Sequence, residues 1–265
     1  MKTPFRSITG NMTFTAVVVC LASMMQTVNA APPKTISVAT TEWCPLLCLS
    51  NPQKPGVMLE ILQKAFPAQD YKIEVRTIEW TKAIEETRAG KHSMIAGGFH
   101  SDSPDFFFPN EGQGAIRECF YTPRKSNWFF SDVASLDAVT KMGTGEGYTY
   151  DEPLNGWLKA NPAKNMATGG DDPFLTNLGK MEKGEIDVLQ EADNIVQWHL
   201  VNAKTPPDIR QAGCQGKPKE VYFAFSPAIP ESQAMAQKLN ATTAEMRQSG
   251  ELKKILAKYN LYDWK

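Results

Sequence analysis

The sequence predicts an α/β protein of two similar halves, and three observations predict it. Between Thr35 and Ala96, strand-length apolar runs alternate with amphipathic helical stretches in the order β-α-β-α-β, and parallel strands need such helical crossovers. The segments RAGKHSMIAGG (88–98) and MEKGEIDVLQE (181–191) share a helix end, a glycine, polar residues and a short apolar strand. Finally, 265 residues at 42% hydrophobic and 22% charged suit a folded chain of one domain or two modest lobes.

The elements follow in order. Thr35–Thr40 reads as the first strand, ending at Glu42-Trp43-Cys44-Pro45. A helix from Val57 carries Leu59, Ile61, Leu62, Ala65 and Phe66 on one stripe, and Pro67 stops it. Tyr71, Ile73 and Val75 alternate with charged residues, the pattern of a half-buried strand. A helix beginning at Trp80 buries Ala83, Ile84 and Thr87, and Gly90 supplies a left-handed C-terminal residue. Met94-Ile95-Ala96 is the next strand, delivering Gly97-Gly98 and the loop His100-Ser101-Asp102-Ser103. Strands are also expected at Arg117–Tyr121, Ala138–Met142, Ile186–Leu189 and Val221–Phe225, with Gly143–Tyr148 as a loop. Helices are expected near Glu152-Pro153, from Pro173, from Asp193, from Pro230 and around Leu252–Tyr259.

Charge excludes some classes. A net charge of −1, without a basic patch interleaved with aromatics, gives no reason for a nucleic-acid partner. At the N-terminus, Lys2 and Arg6 precede an apolar stretch, Phe14–Met25, and Val28-Asn29-Ala30 fits a small-x-small cleavage pattern. The stretch is shorter than the roughly 20 residues that span a bilayer. Residues 1–30 are therefore expected to be a signal peptide cleaved after Ala30. Outside it remain Cys44, Cys48, Cys119 and Cys214, an even number that favours two disulfides in an oxidising compartment. Cys44 and Cys48 would close a small loop, and Cys119 and Cys214 a long one. Zinc, the competing reading, is poorly matched by a C-x3-C pair with distant single cysteines and three histidines.

The chemistry-bearing residues gather near strand ends, where α/β sheets bind ligands. Gly143-x-Gly145-x-Gly147 lacks the sixth-position glycine of a dinucleotide fingerprint, since Tyr148 stands there. No nucleophile elbow, phosphate-binding loop or metalloprotease motif occurs, and the sequence calls for no cofactor and no metal. Trp43, Trp80, Tyr148 and Tyr150 are equally readable as ligand-stacking or packing residues. His100 stands in the crevice loop as a donor or acid/base, whereas His92 and His199 read as structural. Among the carboxylates near strand ends, helix capping accounts for Asp193 and Asp105, but not for Glu42 and Asp102. Together the aromatic planes and the glycine-opened loop point to recognition of a small polar molecule.

Several segments taken together resemble the bacterial extracellular solute-binding proteins of family 3. They are Glu42-Trp43-Cys44-Pro45, Gly56–Glu60, Glu79-Trp80 with Gly90 a helix later, Gly184–Val188, Tyr222–Ser226 and Ser249–Tyr259. The resemblance covers nearly all of the chain after residue 30. It implies two Rossmann-like lobes (31–120 with 222–265, and 121–221) joined by two hinge strands near Phe120–Arg124 and Glu220–Phe223, with the ligand cleft between them. It places Cys119 and Cys214 beside the hinge. By the same resemblance, Trp43 and Trp80 sandwich the ligand, and Gly97, Gly98 and His100 hydrogen-bond it, with Ser101 and Asp102 in the same loop. Thr149 and Tyr150, next to Tyr148, lie at the second-lobe helix N-terminus that cradles a carboxylate, and Glu191 or Asp193 accepts an amino group. The arginine that clamps the α-carboxylate of an amino acid is absent, and Asp105 stands in its place, which reverses the local charge preference. The implied function is capture of a small solute, not an ordinary α-amino acid, by a periplasmic monomer that delivers it to an inner-membrane ABC permease without catalysis. Two other roles share the scaffold: a dehydratase-like enzyme using His100 with Asp102 or Glu191, and a ligand-sensing partner of a membrane receptor.

Overall fold

The computed structural model describes residues 1–4, 32–170 and 172–265, so the expected signal peptide lies outside the described residues except for its first four. In chain order the elements are β1 (Lys34–Thr40), α1 (Val57–Ala65), β2 (Tyr71–Thr77), α2 (Trp80–Arg88), β3 (Met94–Gly98), β4 (Gly114–Ile116) and β5 (Glu118–Pro123). Then come β6 (Met142–Gly145), α3 (Leu154–Ala160), β7 (Asn165–Thr168), α4 (Pro173–Glu182), β8 (Val188–Ala192) and α5 (Asp193–Asn202). The chain closes with β9 (Ile209–Cys214), β10 (Lys219–Phe225), α6 (Ser232–Ser249) and α7 (Glu251–Lys258).

Two five-stranded sheets result, ordered β2-β1-β3-β10-β4 and β7-β6-β8-β5-β9. Each is mixed rather than largely parallel. β1 runs parallel to β2 and β3, and β6 parallel to β7 and β8, as helical crossovers require. The other pairings, made by β10 and β5, are antiparallel. Both strands enter from the opposite sheet instead of over a helix, so nothing imposes a parallel direction. The chain crosses between sheets twice, through Arg117 between β4 and β5 and through 215–218 between β9 and β10.

Apolar periodicity explains the helices that cover the first sheet. Val57, Met58, Ile61 and Leu62 of α1 are fully buried with Phe223 and Phe225 of β10 and Leu252 of α7. Tyr259, just past α7, donates its hydroxyl to Glu60 (2.7 Å) and accepts the Gly56 amide (2.9 Å), tying the last helix to the first. In the second sheet, Phe174, Leu178 and Met181 of α4 pack on one face and Leu154, Trp157 and Leu158 of α3 on the other.

The glycines of β6 account for one difference from the sequence reading. The strand expected at Ala138–Met142 starts instead at Met142, after a 3-10 turn over Val133–Ala138 whose Ser135 amide donates to the Asp132 carboxylate. Gly143 and Gly145, expected in a loop, lie in the strand. A Cβ on Gly143 would stand 2.6 Å from Ile186 Cδ1, and one on Gly145 2.3 Å from the Tyr148 ring. Close approach, not turning, needs glycine here.

Both disulfides are present. Cys44–Cys48 closes the loop after β1, and Cys119–Cys214 joins directly paired residues of β5 and β9.

Candidate functional site

A cavity of about 60 Å³ lies between the sheets. From the first sheet it is lined by Thr40, Thr41, Trp43, Trp80, Gly97, Phe99 and Asp102; from the second by Glu118, Tyr148, Thr149, Tyr150, Gln190 and Glu191.

Each side chain is positioned by its own local structure. The disulfide loop 44–48 is closed a second time by the Trp43 amide donating to Leu47 O (2.7 Å), which holds the Trp43 ring at the cavity wall. The Glu42 carboxylate accepts the Leu49 amide (2.8 Å), the Ser50 amide (3.1 Å) and the Ser50 hydroxyl (2.9 Å), so it secures this loop. Trp80 is the first residue of α2, whose start is capped by Glu79 accepting the amides of Thr81 (2.9 Å) and Lys82 (3.0 Å). Gly97 has φ 98°, a conformation that side chains rarely adopt, and a Cβ there would meet Trp43 Cε3 at 3.4 Å. Tyr150 is buried with its hydroxyl accepting the Gly145 amide (2.9 Å), and burial raises its pKa well above the ordinary value.

Three carboxyls face the cavity without an ion-pair partner of their own among the described residues. Burial pushes Glu118 up to about 7, helped by the Asp151 carboxylate and opposed by Lys219. Burial also pushes Glu191 up to about 7, although its Oε1 accepts the Ala192 amide at 2.8 Å. Asp102 is raised by burial against the Phe99 amide on Oδ2 (2.9 Å), and its Oδ1 is buried with no partner. The Trp43 Nε1 is likewise buried and unpartnered. The nearby Lys219 is committed elsewhere: it reaches Asp151 at 2.5 Å and lies 3.9 Å over the Phe99 ring. His199 lies 3.6 Å from Asp172, and burial lowers its pKa, which favours the neutral ring.

Two further spaces continue the cavity. One, of about 220 Å³, shares Trp43, Tyr148 and Glu191 with it and adds Glu42, Asp172 and His199. The wider mouth is lined by Trp80, Tyr148, Glu42, Glu79, Glu146 and Asp172, among others. The three linings hold seven acidic residues and no Lys or Arg, whereas the whole chain has 29 acids and 28 Lys and Arg. The imbalance is local to the cleft. Across it the two halves touch: a Cβ on Gly147 would stand 3.5 Å from Glu79 Oε1, and Trp198 of α5 lies 5.9 Å from Tyr259.

The structure thus gathers Trp43, Trp80, Gly97, Asp102, Tyr148, Thr149, Tyr150 and Glu191 around one space. It leaves the other candidates outside this cavity. Gly98 backs Trp80, a Cβ there standing 3.7 Å from its ring. His100 is exposed, tilted against the Phe108 ring (4.0 Å) and edge-on to Tyr222 (4.7 Å), and Ser101 is exposed. Asp105 is held by Arg88 (2.8 Å) on the outer surface, which lowers its pKa, so its charge does not reverse the cleft's preference. Asp193 is the first residue of α5 and not its cap; its carboxylate accepts the amides of Arg117 (3.3 Å) and Asn194 (2.8 Å) at a crossing between sheets. Sequence reasoning missed Thr40, Thr41, Phe99, Glu118 and Gln190. The last two lie inside strands, and only the pairing of β5 with β8 turns them toward the cleft.

No family model matches the chain, and no curated protein matches it. Solved structures do. One, from work on glutathione import through GshT and the cystine ABC importer TcyBC of Streptococcus mutans, is 15% identical, with TM-score 0.71 over 88% of this chain and 99% of that one. A putative L-cystine ABC transporter protein from Listeria monocytogenes is 14% identical, with TM-score 0.70 over 88% and 99%. An ancestral arginine-binding protein bound to arginine is 14% identical, with TM-score 0.68 over 85% and 97%. The fold is the bilobal type II periplasmic-binding-protein fold. Two other structures of this fold, 15% and 16% identical, are described as amino-acid ABC transporter binding proteins, the group the sequence resembles. A histidine kinase sensor domain shares the type II fold too, at 14% identity and TM-score 0.66 over 86% and 96%. In type II terms, the cavity between the sheets is the interlobe cleft.

Proposed function

We propose that this chain is an extracytoplasmic solute-binding protein that encloses a small polar, preferably cationic, solute between its lobes and presents it to a membrane permease. The observation that carries the reading is the cleft itself: tryptophans from one lobe face buried carboxyls from the other, with no Lys or Arg in the lining. Aromatic faces and carboxylates both attract cations, and desolvation strengthens the attraction. An α-carboxylate would meet no cationic clamp there, which argues against an ordinary α-amino acid. The lobes would close on the solute about the two crossings, which divide them at Arg117 and at 215–218 rather than within β5 and β10.

The reading includes no catalysis. His100, the one histidine offered as acid or base, lies outside the cavity, and the structural relatives named above are binding or sensing proteins. Sensing is the second reading, favoured by the kinase sensor domain of the same fold. Native mass spectrometry of the protein purified from its own compartment, before and after mild denaturation, tests the first. A co-purifying amine is the expected result. Failure of every amine, sugar, peptide and amino acid to raise the melting temperature would overturn it.

A further inference from the structure

The cleft is divided. The first cavity, of about 60 Å³, has the room of about two water molecules, enough for one ammonium group. A solute of arginine's size needs more. The adjoining chamber of about 220 Å³ supplies the space, and Trp43, Tyr148 and Glu191 wall both. Each side carries its own carboxyls: Asp102 and Glu118 in the first cavity, Glu42 and Asp172 in the adjoining chamber.

We infer that the ligand carries two cationic groups joined by a short apolar chain, one held by Glu118 and Asp102 and the other by Asp172 and Glu42, with Glu191 between. The chemical class is an α,ω-diamine or short polyamine. Glu118 and Glu191, each less than a tenth exposed and in no ion pair among the described residues, are the decisive groups, because ionising a buried carboxyl is costly unless a ligand supplies the opposite charge. In the adjoining chamber Asp172 is the adaptable acid. It caps α4 through the Leu175 amide (2.9 Å), while His199 offers it only a distant partner at 3.6 Å. The tryptophan and tyrosine rings at the partition suit the methylene chain and both charged ends. A single-headed amine would leave one set of acids unmatched.

This inference rests on the solute-binding reading and deepens it. Its test is calorimetric titration of the intact protein with diaminoalkanes of three to six carbons, against n-alkylamines of equal length and a panel of neutral sugars, dipeptides and amino acids. A second charge-assisted contact is worth about 10- to 100-fold in affinity. Diamines are therefore expected to bind at least about tenfold more tightly than matched monoamines, with an optimum chain length. Asp172→Asn keeps an equally good helix cap and should collapse that ratio toward one; Glu191→Gln should weaken every amine. Equal affinity for diamines and monoamines overturns the inference. Binding of a neutral solute or amino acid, but no amine, also overturns it and leaves the solute-binding reading standing. Binding by nothing in the panel overturns both.

Discussion

At the scale of single residues, Glu118 and Glu191 set the chemistry of the cleft. Each holds its proton more tightly in the folded protein, about 7, than at the ordinary carboxyl value of 4.5. The stability they lend is therefore complete below about pH 4.5 and lost as pH rises through about 7, at most about 3 kcal/mol each. The groups that bear on them are Asp151, Lys219 and Gln215 around Glu118, Asp172 around Glu191, and Tyr148 and Tyr150 beside them. Thermal melts of the ligand-free protein should thus show the midpoint falling between pH 5 and 8, and Glu118→Gln with Glu191→Gln should flatten that fall. A cationic ligand favours the ionised carboxyls, so its affinity should rise over the same interval; calorimetry at pH 5.5 and 8 checks the sign. What the sequence shows at this scale depends on setting. Trp43, Trp80 and Tyr148 are offered by their places near strand ends, where stacking and packing read equally well, and Glu191 comes through the resemblance as an alternative to Asp193. Glu118 looks like any outward residue of a strand until β8 is laid against β5. Asp105 misleads for the converse reason: nothing in its spacing says that Arg88, on the preceding helix, will claim it.

At the scale of elements, the loop 42–50 is the most constructed part of the site. Glu42 binds its far end and the Cys44–Cys48 disulfide closes its middle, so Trp43 is fixed before any ligand arrives. Rigidity of that kind improves affinity by reducing what must be ordered on binding. Cys44→Ser with Cys48→Ser should weaken ligand binding about tenfold while the fold survives, with a change in tryptophan fluorescence reporting the freed ring. Most elements were legible in sequence because the apolar pattern follows period, and in α1, α4 and α7 burial follows the helical 3.6. The unread strands β4, β7 and β9 are all sheet edges, where one flank has no neighbour and the apolar signal thins. β6 was displaced because its glycines serve tight packing against Ile186 and Tyr148.

For the whole molecule, the acids of the cleft act together. A cleft of one sign speeds the arrival of the opposite charge, so the association rate of a cationic ligand should fall steeply between 10 mM and 0.5 M salt while that of a neutral one stays level, as stopped-flow fluorescence would show. The two-lobed plan itself was readable from the repeated grammar of helix end, glycine and strand, because that grammar is local. The antiparallel β5 and β10 were not, because their direction depends on crossings between lobes. Cys119 and Cys214 sit just inside those crossings, 95 residues apart in sequence. Their bond makes everything between them a closed ring, hung from the rest of the chain at one knot. Stretched between its two ends in an optical trap, the oxidised protein should pay out only the residues outside the ring, since force passes through the sulfurs and bypasses the second sheet. Adding reductant should lengthen the fully extended chain by about 300 Å.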